Sequence, residues 1–343
     1  MNGPAIAIQR TGLVTSVGLS AGAACAAIRA KVQNPTDTGF MNSSGQWISA
    51  HQVPLGQPLR GLPKLARMAA MAIEEALDGI PLTEWRQLTL LLCVAEPERP
   101  GRMAGLDDQL FSLIEAELGA RFAENSAIVA RGRVAVAVAL SQARTLVAKE
   151  PAARVLVVAV DSLLSGPTLQ HYDQRGRLLS ETNSDGFMPG EAAGALLLGK
   201  PAGQAGELLC TGVGFAREPA PMDSGEPLRA EGLSQAIKAV LADAGAQLHE
   251  MDFRIADLSG EQYYFKEAAL SLSRTMRTLK EEFDLWHPAE CTGEVGAAAG
   301  ATLLALAKAA CDKRYAKGPH ILVHMANDAG ERAALTLRYQ GNA

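Results

Sequence analysis

The stretch Asp185-Gly-Phe-Met-Pro-Gly-Glu-Ala-Ala-Gly-Ala-Leu-Leu-Leu198 constrains the fold more than any other. Gly186, Pro189 and Gly190 predict tight turns, because glycine tolerates φ > 0 and proline fixes φ. The wholly apolar run 192–198 predicts a strand buried on both faces. Such a strand needs a layer on each side. With 343 residues, 48% of them hydrophobic and 20% charged, the chain has the material for those layers and is not a disordered one. Aromatics are only 5%, and Ala, Leu and Val make up most of the apolar mass, which favours close helix–sheet layers over an aromatic-lined groove.

Charge and cysteine usage exclude several classes. The net charge of −5, without any basic run, offers nucleic acid no field. Cys25, Cys93, Cys210, Cys291 and Cys311 show neither CxxC nor CxxH spacing, so free thiols in a reducing compartment are expected, and no zinc site. His287 and His324 stand apart from any second ligand. Gly212-Val-Gly214 lacks the third glycine of a dinucleotide fingerprint, and no cofactor is expected. No apolar stretch reaches the ~20 residues of a membrane span, and no basic segment followed by an apolar core opens the chain. The expectation is a cytoplasmic protein without membrane or metal.

Strand and helix patterns alternate along the chain. Strands are predicted near 5–14, 87–95, 126–130, 154–160, 192–198, 208–215, 253–258, 321–325 and 333–339. Helices are predicted from Ser20 as N-cap to about 31, over 63–77, 103–118 and about 131–148, then 227–245, 264–278 and 292–311. Residues 33–61, rich in Pro, Gly, Ser and Asn, read as an irregular surface excursion. The order suggests two similar α/β halves, 1–200 and 201–343, forming one compact unit.

Asp185–Glu191 resembles the DGFxPGEGA loop of β-ketoacyl synthases, in the thiolase-fold superfamily. The resemblance extends in order through Arg10-Thr-Gly-Leu-Val-Thr-Ser-Val-Gly18, Asp161-Ser162, Cys291-Thr-Gly-Glu-Val-Gly-Ala-Ala-Ala-Gly300 and the last strand pair. It implies a layered αβαβα thiolase-like fold with two mixed sheets around buried helices, and a homodimer that shares a sheet. It also implies a cysteine at a helix N-terminus, where the dipole favours the thiolate, and two histidines beside it.

This chain departs from the pattern at all three positions. Gly132 or Arg133 takes the nucleophile slot, Ser259 the place of the first histidine, and Glu294 that of the second. Neither Gly132 nor Arg133 can carry an acyl group. Cys291 is the residual candidate nucleophile, or a buried thiol; Glu294 could be a general base, or a carboxylate favoured by a helix dipole. Asp257, Ser259 and Glu261 sit in a turn after a strand, where α/β folds place ligands and where turns also form. Tyr263, Tyr264 and Phe265 anchor the following helix or meet a partner.

Asp257-Leu-Ser-Gly-Glu-Gln-Tyr-Tyr264 resembles a phrase of thiolase-like accessory proteins found beside type VI secretion effectors and their adaptors. The expected function is therefore a catalytically inactive ketosynthase-like binding module with a protein partner: an effector, an adaptor or a synthase subunit. The rival is an acyltransferase using Cys291 or Ser259 on an acyl-thioester ligand. A third reading is a non-catalytic subunit of an active synthase.

Overall fold

A computed structural model describes residues 3–341. Ten strands form one continuous sheet: β1 (Ile6–Val14), β4 (Thr89–Val94), β5 (Ala127–Ala130), β6 (Val155–Ser162), β7 (Glu191–Gly199), β8 (Leu208–Arg217), β9 (Phe253–Ala256), β10 (Leu285–Trp286), β11 (His320–Ala326) and β12 (Glu331–Tyr339). A separate hairpin joins β2 (Thr36–Met41) to β3 (Trp47–Ala50).

The order along the large sheet is β10-β9-β11-β12-β8-β1-β7-β6-β4-β5. Outward from the β1/β8 seam, each side has two antiparallel pairings followed by two parallel ones, with the same succession of strands. The seam is short: Ile6, Ala7 and Ile8 face Cys210, Leu209 and Leu208. Two separate sheets were expected; these three residues instead zip the five-stranded halves into one ladder.

The layers follow from alternation along the strands. Val155, Val157 and Ala159 of β6 join one core with β9, β11 and β12, centred on the helices Ala135–Lys149 and Ala299–Asp312. Leu156, Val158 and Val160 face the other way, onto the helix Gly61–Ala76. On the far side, Leu322 and Ala334 pack against the helix Glu231–Ala244. The result is helix, sheet, paired central helices, sheet, helix. Two-sided burial explains why the strand sequences are continuously apolar.

Local differences have physical causes. Ser20 caps Ala21–Arg29 as predicted, its side chain accepting from the Ala23 amide. The helix predicted over 103–118 starts only at Leu110, after a series of turns. The excursion 33–61 contains the β2–β3 hairpin, whose pairing slips between Asp37 and Met41 and so breaks clean alternation. The helix predicted from 292 begins at Ala299, because Gly293 at φ +70° and Gly296 at φ +55° interrupt it. A helix at Gly166–Gln174 went unpredicted; its glycine, proline and polar residues carry no apolar stripe. Among the described residues no helix is long and apolar enough to cross a membrane.

Candidate functional site

The site lies where the central helices begin. After β5 the chain enters a 3₁₀ turn, Gly132–Val134, and then the helix Ala135–Lys149. Gly132 has φ +53°, and a side chain there would run into the Glu96 carboxylate. The other half repeats the arrangement: Gly296 opens a 3₁₀ turn and the helix Ala299–Asp312, and a Cβ on it would overlap Asp161. Asp161 Oδ2 accepts from the Ala297 amide at 2.8 Å, and Glu294 Oε1 from the Gly296 amide at 2.9 Å. Carboxylates from the chain thus occupy the helix start that favours anions.

Arg133 fills the space between these starts. Its guanidinium donates to Glu294 Oε2 at 2.9 Å, to the Tyr264 hydroxyl at 2.7 Å and to Asp328 Oδ1 at 2.8 Å. Asp257 Oδ2 lies 4.0 Å from its Nε. Arg177 grips Glu261 with two bonds of 2.7 and 2.9 Å and donates to Asp328 Oδ2 at 2.7 Å. Arg99 makes a two-pronged contact with Asp161 and reaches Glu96 at 3.4 Å. The Tyr264 and Tyr172 rings lie 4.6 and 4.9 Å from the Arg133 and Arg177 guanidiniums. The cavity left among these groups measures about 20 Å³, room for roughly one water.

Buried ions persist only when paired and hydrogen-bonded. Burial opposes the Asp328 anion, but Arg133 and Arg177 outweigh it and hold that carboxyl well below the usual carboxylate range. Asp257 goes the other way. Burial pushes its carboxyl up to about 7 against the pull of Arg133, and Glu294 adds repulsion.

This shift sets a pH dependence. A carboxyl raised in the fold binds protons that the unfolded chain has released, so its contribution to stability falls as pH rises from about 4 to about 7. Asp257→Asn keeps an acceptor for the Ala326 amide, now 3.0 Å from Asp257 Oδ2, and cannot ionise. Relative to wild type, this variant is expected to gain stability between pH 5 and pH 8 in urea unfolding. A difference independent of pH would refute the assignment.

The DGFMPGE loop organises this cluster. Phe187 pairs with the segment carrying Arg177, through bonds between Leu179 and Phe187 at 2.9 Å and between Phe187 and Arg177 at 3.0 Å. Met188 and Gly190 bracket Glu294 at 2.8 and 2.9 Å, and Asp185 Oδ1 accepts from the Gln262 amide at the start of the Tyr264 helix. Neither Gly186 nor Gly190 has a positive φ; the turn argument for them fails. They are glycines because of close approach: a Cβ on Gly186 would lie 2.6 Å from the Leu178 carbonyl carbon, and one on Gly190 would overlap the Thr292 oxygen.

Among the residues singled out in the sequence, the structure brings Gly132, Arg133, Asp257, Glu261 and Glu294 together. Ser259 is in the adjoining loop, its hydroxyl buried and without a partner among the described residues. Cys291 stands apart, inside the short helix Ala289–Thr292 rather than just before a long one. Burial raises its thiol, with Lys31 only partly opposing. Of the tyrosines, Tyr264 joins the cluster, while Tyr263 donates to the Ala220 carbonyl. Sequence reasoning missed Arg99, Tyr172, Arg177 and Asp328. The one available signal was the charge of Asp328 in the turn between the last two strands.

No protein-family model matches the chain, and no curated protein matches it. Solved structures do. The ishigamide ketosynthase/chain length factor aligns over 99% of this chain and all of its own, at 17% identity and a TM-score of 0.79. AntDE:AntF, a type II PKS acyl-carrier protein in complex with its ketosynthase, aligns over 98% and 100%, at 15% identity and 0.81. The ketosynthase ApeO with its chain length factor ApeC, from Xenorhabdus doucetiae, covers 98% of each chain at 13% identity and 0.78. The architecture is therefore the layered thiolase fold. More narrowly, it is the form of that fold found in ketosynthases and chain length factors.

Proposed function

We propose that the chain is a ketosynthase-like protein that performs no acyl transfer and acts as a binding partner for another protein. The observation that carries this reading is Arg133, buried where the resemblance expects a nucleophile and locked to Glu294, Asp328 and Tyr264. Acyl transfer would need a nucleophile and a pocket for the substrate, and ligand pockets measure on the order of 300–1,000 Å³. The site offers a guanidinium and about 20 Å³.

Two of the structural relatives pair a ketosynthase with a chain length factor, which supports a partner-subunit role here. The strand β5 supports it too, since among the described residues it ends the sheet with one side unpaired and could accept a strand from a second chain, identical or not. An effector or adaptor partner is supported only by the phrase 257–264. Its Asp257, Glu261 and Tyr264 face inward onto Arg133 and Arg177, so they present no surface to a partner while Asp328 holds its place. The matching strand order supports reading 1–200 and 201–343 as two versions of one unit.

The reading predicts that incubation with acyl-coenzyme A or acyl-carrier thioesters leaves the intact mass unchanged. An acyl adduct would overturn it, and Cys291→Ala would then show whether that thiol holds the group. Co-purification from the native host with a synthase subunit would identify the partner role.

A further inference from the structure

Asp328 is held as a ligand is held. It sits at the tip of the β11–β12 turn, next to the exposed Ala329, and a third of its side chain faces solvent. Four donors converge on its two oxygens: Arg133 at 2.8 Å and Tyr264 at 2.5 Å on Oδ1, Arg177 at 2.7 Å and Tyr172 at 3.4 Å on Oδ2. All four donor residues are more than nine-tenths buried. The two guanidiniums are fixed independently of Asp328: Glu294 holds Arg133, and Glu261 holds Arg177 with two bonds. Both guanidiniums therefore stay in place if the anion leaves. Two planar guanidiniums and two hydroxyls around one position suit a carboxylate, which accepts at both oxygens.

We propose that Arg133, Arg177, Tyr264 and Tyr172 form a carboxylate-binding site that Asp328 fills from within, and that an external carboxylate, free or on an acidic partner residue, can take the same place. A tethered carboxylate acts at an effective concentration of millimolar or more, so a free one competes poorly with Asp328 unless other contacts help. Removing the tethered group should expose the site. The inference does not depend on the loss of acyl transfer, and its test uses no activity.

The experiment is chemical rescue of Asp328→Ala, read as melting temperature. The variant is expected to lose on the order of 5–10 °C. Sodium acetate should restore part of that loss in a saturable way, as linkage requires, while sodium chloride at equal ionic strength should not. Adding Arg177→Met should abolish the response. Should Asp328→Ala not accumulate in folded form, recovery on refolding in acetate but not in chloride supports the site, and recovery in neither overturns it. Equal effects of acetate and chloride also overturn it. A peptide Gly-Asp-Gly outperforming acetate would point to an acidic residue of a partner; acetate matching the peptide would point to a small free carboxylate.

Discussion

Arg133→Ala is expected to destabilise the fold by about 3–5 kcal/mol, the range for breaking a buried ion pair from one side. The substitution removes the cation facing Glu294 and Asp328 and lying 4.0 Å from Asp257. Glu294 still accepts from the Gly296 amide, and Asp328 keeps Arg177, so the loss falls short of full desolvation of three anions. Asp257 has the least compensation and should take up a proton more readily, which makes the loss smaller at pH 5 than at pH 8. The truncation also leaves an empty volume beside Tyr264. Urea unfolding at the two pH values measures the effect. Adding Glu294→Ala should cost less than the sum of the single changes, because the two side chains act as a unit. A loss under about 1 kcal/mol would mean that the cluster is wet rather than buried.

That cluster was only partly legible in the sequence, for reasons of range. Strand burial, the Ser20 cap and the small-residue helices are local patterns, and the alternation along β6 is enough to imply a layer on each side. The seam between β1 and β8 depends on three residue pairs whose members are about 200 positions apart, and it has no local signature. The same holds for the site. Gly132, Arg133, Ser259 and Glu294 were found because a motif pointed to each position. Arg177 and Asp328 meet across 151 residues, and Arg99 meets Asp161 across 62; nothing in an isolated arginine tells whether it is buried against a carboxylate or free in water. Cys291 shows the opposite limit. A cysteine near a helix start looks reactive in sequence, whereas Cys291 is buried within the short helix Ala289–Thr292, which pattern alone does not reveal.

Restoring a cysteine tests whether the site lost only a nucleophile or became a different structure. Gly132→Cys is expected to destabilise the protein and still give no acyl adduct. At φ +53° a non-glycine residue costs about 1–2 kcal/mol. The new Cβ would also collide with the Glu96 carboxylate, a further ~1–3 kcal/mol if the neighbours shift as in other overpacked sites. Glu96 cannot move away freely, since Arg99 holds it while gripping Asp161. Removing it in Gly132→Cys/Glu96→Ala should recover the collision cost but not the backbone cost, and Arg99 keeps Asp161 as its partner. The thiol in that double variant lies beside guanidiniums that are already paired with the cluster's carboxylates, Arg133 with Glu294 and Asp328 and Arg99 with Asp161, so none of these cations is left over to favour a thiolate. Ser259 and Glu294 stand where the resemblance expects histidines, and neither supplies a cation. Both variants should therefore keep an unmodified mass in acyl thioester at neutral pH. Rapid acylation of the double variant would show that the site lost only its nucleophile and kept the rest of an acyl-transfer site, and the account of a restructured, closed site would fall with it.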